Sequence, residues 1–392
     1  MSDIRFLYND QLQQCAPSSF TPEATAVAHN FLNSIPEFAP TPLIELKALS
    51  TEIGIAEVWV KDESKRLGLN AFKAVGAVYA VARVMAEKLR LGSESLCFTT
   101  LKEKASTMPP LIFTTATDGN HGKAVAWAAR ELGQRAVIYL PHGASSHRLQ
   151  AILDLGAEAH ITDLNYDDTV RLAAAHGAQY GWELIQDTAW PEYTEIPTWI
   201  MQGYTVIARE ALDALPEAPT HLILQAGVGS FAGAMLAYFV SALGENCPTT
   251  IIAEPHNAAC IFKSAEVGDG LPQRVEGDLA TIMAGLSCGE PNPIAWEIIR
   301  DHAHGFCSCP DTTAELGMQV LAHPRGTDPL IISGESGAVG LGLLIQLLSD
   351  PSLKHAKDIL KLNSDSRVLI INTEGDTDPE SYQRIIQSRE GS

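Results

Sequence analysis

Short apolar runs alternate with helical patterns along almost the whole chain, and nothing else in the sequence restricts its folding as strongly. Val58-Trp59-Val60, Leu111 to Thr115, Val137 to Leu140, Leu222 to Leu224, Ile251 to Ala253 and Val368 to Ile371 read as strands. Ala71 to Leu89, Gly122 to Leu132, Ser230 to Leu243 and Gly337 to Leu348 read as helices between them. Alternation of this kind predicts an α/β fold, with parallel sheets covered by helices on both faces. At 392 residues the chain is long enough for two such domains. Thr21-Pro22-Glu23 predicts a helix start, with Thr21 as cap and Pro22 in the first helical position. Pro36, Pro40 and Pro42 hold the chain extended ahead of the first strand. The polar, non-periodic run from Leu91 to Pro110 reads as a loop near a domain junction.

Charge and cysteine usage narrow the class. A net charge of -20 argues against nucleic acid as a partner, since phosphate binding needs a basic surface. It leaves room for an anionic small molecule in one electropositive pocket. No apolar run reaches the roughly 18 residues of a membrane-spanning helix. The opening residues Met1 to Phe6 lack the pattern of a secretory signal, so a cytoplasmic protein with no membrane partner is expected. The seven cysteines are scattered without a CxxC pair, and Cys307 and Cys309 read as ordinary thiols, so no metal site is expected.

Four segments carry chemistry. In Gly68-Leu-Asn-Ala-Phe-Lys73, Asn70 is a plausible helix cap that puts Lys73 in the first turn. The helix dipole disfavours a cation there, so the amine's pKa is expected to fall, as imine chemistry requires. Taken alone, Lys73 reads more simply as a solvated lysine on an amphipathic helix. In Thr114 to Gly122, a polar turn joins a strand to a helix. Backbone amides from Thr117 to His121 would form an anion nest there, and Asn120 would donate to a ring oxygen. In Gln225-Ala-Gly-Val-Gly-Ser-Phe-Ala-Gly233, glycines let backbone approach a phosphate at a helix N-terminus. Gly227, Gly229 and Ala232 also fit a GxGxxA dinucleotide fingerprint, with Glu254 placed as a ribose-binding acid. An NAD(P)-dependent oxidoreductase built on that loop would leave the first two segments without roles. Finally, Asn372-Thr373-Glu374 ends a strand, where the Thr373 hydroxyl suits a pyridine nitrogen.

Read together, these segments resemble the pyridoxal-phosphate (PLP) enzymes of the tryptophan synthase β-like fold (fold type II), which include serine and threonine dehydratases. More narrowly the chain is similar to the diaminopropionate ammonia-lyases. That likeness rests on Gly68 to Lys73, Ala116 to Gly122, Gln186 to Trp190, Pro197 to Tyr204, Gln225 to Gly229, Thr281 to Gly285, Cys288 to Pro293 and Asn372 to Gly375. It runs from roughly Ala39 to Pro379. The resemblance implies two open twisted sheet domains with PLP in the cleft between them, residues 86–197 being a small domain inserted in a large one of 1–85 and 198–392. It implies that Lys73, Phe72, Asn120, Ala226, Gly227, Val228, Gly229, Ser230 and Thr373 hold the cofactor. Thr117, Asp118, Gly119, His121 and Asp187 would face the amino acid substrate. Dehydratases often carry Ser-Ser-Gly-Asn-His-Gly where this chain has Ala116-Thr-Asp-Gly-Asn-His-Gly122; the added carboxylate of Asp118 suits a second amino group. The implied reaction is α,β-elimination of 2,3-diaminopropionate to pyruvate and two ammonia, with Lys73, Asp118 and Asp187 catalytic. Lys73 would serve the L isomer and Asp118 the D isomer. A serine or threonine dehydratase is the alternative within the same chemistry, and a catalytically silent PLP binder lies outside it. The family is usually dimeric, so a homodimer is expected. Its members include a disulfide that Cys260 and Cys288 would reproduce, although free thiols are expected in the cytoplasm.

Overall fold

The structure, a computed structural model, describes residues 3–13, 17–92 and 96–388; Met1 and Ser2 of the opening segment and 93–95 of the expected loop lie outside them. Eleven strands are described: β1 (Arg5–Tyr8), β2 (Leu43–Glu45), β3 (Glu57–Asp62), β4 (Ile112–Ala116), β5 (Arg135–Leu140), β6 (Glu158–Ile161), β7 (Glu183–Leu184), β8 (His221–Gln225), β9 (Thr249–Pro255), β10 (Gly305–Cys309) and β11 (Arg367–Asn372). They form a seven-stranded sheet of order β1-β10-β9-β8-β11-β3-β2 and a four-stranded sheet of order β6-β5-β4-β7. The chain leaves the large sheet after β3, builds the whole small sheet, and returns for β8. Every pairing is parallel except at the edges of the large sheet, where β1 and β2 run antiparallel. The α/β expectation holds, and each of the six expected strands is present.

β10 was not legible as an apolar run because its sequence is Gly-Phe-Cys-Ser-Cys, yet all five residues are buried. Small thiols fill such a strand as well as aliphatic groups do. The expected loop from Leu91 to Pro110 contains a helix, Phe98–Ala105, which buries Phe98, Leu101 and Ala105. Two turns with three apolar residues give too short a period to read against polar flanks. Thr21 caps the helix Pro22–Asn33 as expected, its hydroxyl accepting from the Ala24 amide at 3.1 Å.

The helix Lys73–Lys88 is buried on nearly every side, between the helices Glu195–Ala214 and Asn120–Glu131. Small residues make that possible. A Cβ at Gly76 would lie 2.4 Å from the Tyr204 ring and 2.7 Å from the Ile200 carbonyl oxygen. The close crossing fixes where the first residue of the helix, Lys73, can stand.

Candidate active site

Parallel sheets bind ligands beyond the carboxyl ends of their strands, and the expected segments converge there. Ala71 bridges to Glu374 across the end of β11, the Phe72 amide donates to the Thr373 carbonyl at 2.9 Å, and the Gly375 amide donates to the Asn70 carbonyl at 3.0 Å. These bonds corrected one expectation. Asn70 does not cap the helix; it takes a left-handed φ of 62°, its side chain donates to Asp376, and Phe72 precedes the first helical residue. Strand-like pairing with Glu374 captured the backbone that a cap would have needed.

Lys73 points into a cleft of about 550 Å³. Its Nζ donates to Asp187 Oδ2 at 2.6 Å and lies 3.9 Å from Asp118 Oδ1. Burial alone would depress the amine's pKa, but the carboxylates of Asp187 and then Asp118 outweigh it and raise the free amine well above its ordinary value. The expected depression by the helix dipole is therefore overturned: a fractional charge at a helix end is weaker than full charges at contact distance. Burial would raise the Asp187 carboxyl, yet the Lys73 ammonium, with the hydrogen bond from Tyr166, holds it well below the usual range. Asp187 Oδ1 also accepts from Tyr166 at 3.1 Å and Gln186 at 3.2 Å, and Gln186 in turn accepts from Thr115 and Ala116 on β4. His121, fully buried and held neutral by desolvation, bonds the Ile185 carbonyl at 2.7 Å; its Nδ1 lies 3.9 Å from Asp187.

The glycine loop forms one wall of the cleft. A Cβ on Gly227 would meet the Gly285 carbonyl at 3.1 Å and Cys288 Sγ at 3.2 Å, while Gly229 has φ +93°. Ser230 begins the helix Ser230–Leu243 and donates to the Asp187 carbonyl at 2.5 Å. Gln225 donates to Thr373 Oγ1 at 2.9 Å, and Asn120 donates to Glu374 Oε2 at 2.5 Å. Phe72, Lys73, Asn120, Ala226 to Ser230, Asp187 and Thr373 thus line one space. Thr117, Gly119 and His121 stand behind it. The anion nest expected at Thr117 to His121 is partly filled, because Thr117 Oγ1 itself accepts from the Gly119 and Gly122 amides at 2.9 Å each. Glu254 is no ribose ligand. It is fully buried and accepts from the Ile261 and Phe262 amides at 2.8 and 2.6 Å. That removes the acid on which the dinucleotide reading rested.

The sequence profile of the family described as "Pyridoxal-phosphate dependent enzyme" matches residues 35–365. The "Diaminopropionate ammonia-lyase" of Escherichia coli (strain K12) is 51% identical over 370 residues, covering 94% of this chain and 92% of that protein. The chain belongs to the diaminopropionate ammonia-lyases, within the pyridoxal-phosphate dependent enzymes. The crystal structure of the Escherichia coli enzyme in complex with an aminoacrylate-PLP azomethine reaction intermediate superposes with a TM-score of 0.91 at 47% identity, covering 99% of this chain and 97% of that one. Threonine deaminase isoform 2 from Solanum lycopersicum, 16% identical, shares the fold with a TM-score of 0.74 over 98% of both chains.

The residues of the cleft fit the cofactor of this family. A cradle at Gly227 that a Cβ would fill suits a phosphate, an amine stands within the same space, and the Gln225 side-chain oxygen is buried without a partner beside Thr373. Cys260 and Cys288 are buried free thiols behind the loop. Cys307 and Cys309 lie buried in β10, and no group of three potential metal ligands occurs among the described residues. Tyr166, Tyr204, Gln186, Ser336 and Glu374 also belong to the site's walls or supports. Glu374 adjoins Thr373 and Gln186 adjoins Asp187, so adjacency was a usable signal for both. Tyr166, next to a helix cap, reads as an ordinary core aromatic.

Proposed function

We propose that this chain eliminates ammonia from 2,3-diaminopropionate, in its D form, its L form or both, giving pyruvate and two ammonia. One observation carries the reading: two buried carboxylates, Asp187 at 2.6 Å and Asp118 at 3.9 Å, flank the Lys73 amine. A diamino acid brings a second cation that needs such counter-charge, whereas the β-hydroxyl of serine or threonine does not. Lys73, Phe72, Asn120, Ala226, Gly227, Val228, Gly229, Ser230 and Thr373 are assigned to hold pyridoxal phosphate. When bound, it supplies the electron sink that acidifies the substrate Cα–H.

The chain's own groups then move protons. Lys73 Nζ accepts the Cα proton of the L isomer, and Asp118 accepts that of the D isomer from the opposite side. Asp118 Oδ2 is buried without a hydrogen-bond partner, an open acceptor. Asp187, kept ionised beside Lys73, holds the β-ammonium, the protonated form in which ammonia can leave. As that ammonium takes up the carboxylates, their hold on the Lys73 proton weakens, the proton passes to solvent, and the neutral amine becomes a usable base. Tyr166 and Gln186 fix the Asp187 carboxylate during this exchange. Thr117, Gly119 and His121 serve the substrate side by holding the turn that carries Asp118 and Asn120.

The same reading assigns 86–197 as a small domain inserted in a large cofactor-binding domain of 1–85 and 198–392. Support comes from the smaller sheet, whose strands all fall between β3 and β8. It also assigns a homodimer in the cytoplasm; no helix among the described residues is long and apolar enough to cross a membrane. Sedimentation velocity tests the dimer. Pyruvate release from D- and L-2,3-diaminopropionate, beside D-serine, L-serine and L-threonine, tests the function. Preference for the diamino acid is expected; preference for a hydroxy amino acid would overturn the substrate while leaving Lys73 in place.

A further inference from the structure

Asn120 opens the helix Asn120–Glu131, and its side chain lines the cleft beside Lys73. An asparagine amide turns about two bonds, the second with only a broad preference, so its backbone position alone does not aim it. Among the described residues the side chain has one hydrogen bond, to Glu374 Oε2 at 2.5 Å, across 254 positions of sequence. The amide nitrogen carries two hydrogens in one plane. With the first committed to Glu374, the direction of the second is set, and it is left for a ligand in the cleft.

Glu374 is held far more firmly than the amide it meets. It is 1% exposed and lines the same cleft. Oε2 also accepts from the Thr377 hydroxyl at 3.2 Å, and Oε1 accepts from the Ser336 amide at 3.2 Å. A Cβ at Gly334 would stand 3.0 Å from its Cγ and from its Oε1, so backbone packs closely against that side. Burial pushes this carboxyl up, and Glu335 and Asp118 add to the push. Arg148, which donates to Thr377 at 3.4 Å, is the cation that opposes them. Three donors converge on the group, a demand that an ionised carboxylate, acceptor only, meets without leaving any of them facing another donor.

We infer that Glu374 is a positioning residue: its carboxylate turns and holds the Asn120 amide so that the remaining N–H faces the cofactor's ring oxygen. The inference rests on the assignment of Asn120 to the cofactor made above. Outer partners of this kind aim the group that touches the ligand without touching it themselves. Position and charge predict opposite effects here. As a positioning group, Glu374 favours the ionised ring oxygen by aiming a donor at it. As a bare negative charge near the cleft, it would disfavour that same ion.

The test reads the absorbance of bound PLP, at one fixed pH, in wild type, Asn120→Ala, Glu374→Asp, Glu374→Gln and the double variant Asn120→Ala/Glu374→Asp. The ionised ring oxygen gives the visible band, and the protonated one gives a band in the near ultraviolet. Asn120→Ala should lower the visible-to-ultraviolet ratio about fivefold, the worth of one hydrogen bond. Glu374→Asp keeps the charge but withdraws the carboxylate by about 1.5 Å, one C–C bond, and should lower the ratio equally. The double variant should fall no further, because the two residues act as a unit. Glu374→Gln keeps an acceptor beside Asn120 and gives up the longer contact with Ser336, so its ratio should stay close to that of wild type. If Glu374 acted through charge alone, Glu374→Asp would match wild type and Glu374→Gln would raise the ratio. That pattern would overturn the inference, as would additive losses in the double variant or loss of cofactor from Glu374→Gln. Should Glu374→Asp fail to hold PLP, Glu374→Gln still decides, since charge predicts a rise there and position predicts none. An unchanged ratio in Asn120→Ala is a different failure: it would remove Asn120 from the cofactor, and with it the reading on which this inference rests.

Discussion

Replacing Gly76 by alanine sets two physical effects against each other with opposite signs. Alanine is better than glycine inside a helix by about 1 kcal/mol, so helix propensity alone predicts a more stable protein. Packing predicts the reverse. The new Cβ would stand 2.7 Å from the Ile200 carbonyl oxygen and 2.8 Å from Ile200 Cγ2, with the Tyr204 ring at 2.4 Å. Ordinary contact begins near 3.4 Å, so the helices must part by about 0.7 Å at the carbonyl, which is backbone and cannot rotate away. Overpacking of a close-packed core costs about 1–3 kcal/mol, and here two rigid helices share the strain. The net expectation for Gly76→Ala is a loss of up to about 2 kcal/mol, read as a lower urea midpoint at unchanged slope. Lys73 lies one turn away on the same helix, so its amine moves relative to Asp187. A displacement of this order costs about a hundredfold in kcat where geometry is tight. A gain of about 1 kcal/mol with full activity, as propensity alone predicts, would refute the claim that the glycine exists to seat this helix.

Asp118→Asn should lower turnover of the D isomer about a hundredfold more than that of the L isomer, the usual worth of a positioned base; equal losses in a pyruvate assay would sink the division of labour. Gly227→Ala should weaken PLP binding about tenfold, because a methyl group 3.1 Å from the Gly285 carbonyl and 3.2 Å from Cys288 would push the loop or its neighbours aside by a few tenths of an ångström. Pyridoxal, which lacks the phosphate, should lose far less, and an equal loss for both in absorbance titrations would place the phosphate elsewhere. His29 is buried, bonds Thr205 at 2.9 Å, and is lowered to about 4 by desolvation and then by Arg209. The unfolded chain therefore takes up this proton first as pH falls, so its contribution to stability is intact above about pH 6.5 and is lost toward pH 4. Urea unfolding between pH 7 and 4.5 should cost wild type roughly 2–3 kcal/mol more than His29→Gln; identical pH dependence in the two proteins would count against the assignment.

Much of this protein was determined locally and was legible in the sequence. The central strands announce themselves as apolar runs because their environment is uniform: β8 and β9 are buried almost end to end. Gly227, Gly229, Asn120, Lys73 and Thr373 could be picked out because tight loops at strand ends admit few residue types. The same local reasoning failed wherever a distant partner decided the outcome. Asn70 lost its capping role to backbone pairing with Glu374 and Gly375, some three hundred positions away. Thr117 looked like part of a donor nest and proved to be an acceptor that fills it. Glu254 matched a dinucleotide fingerprint by spacing alone, yet its position is explained by two amides of a neighbouring helix. Above all, the charge state of Lys73 was decided by the tertiary structure. Helix position predicted a lowered pKa, and Asp187, 114 residues on, raises it. Periodicity and backbone conformation are properties of neighbouring residues, so a sequence can specify them directly. Desolvation and Coulomb energy depend on distances through space, and those exist only once the two sheets have folded.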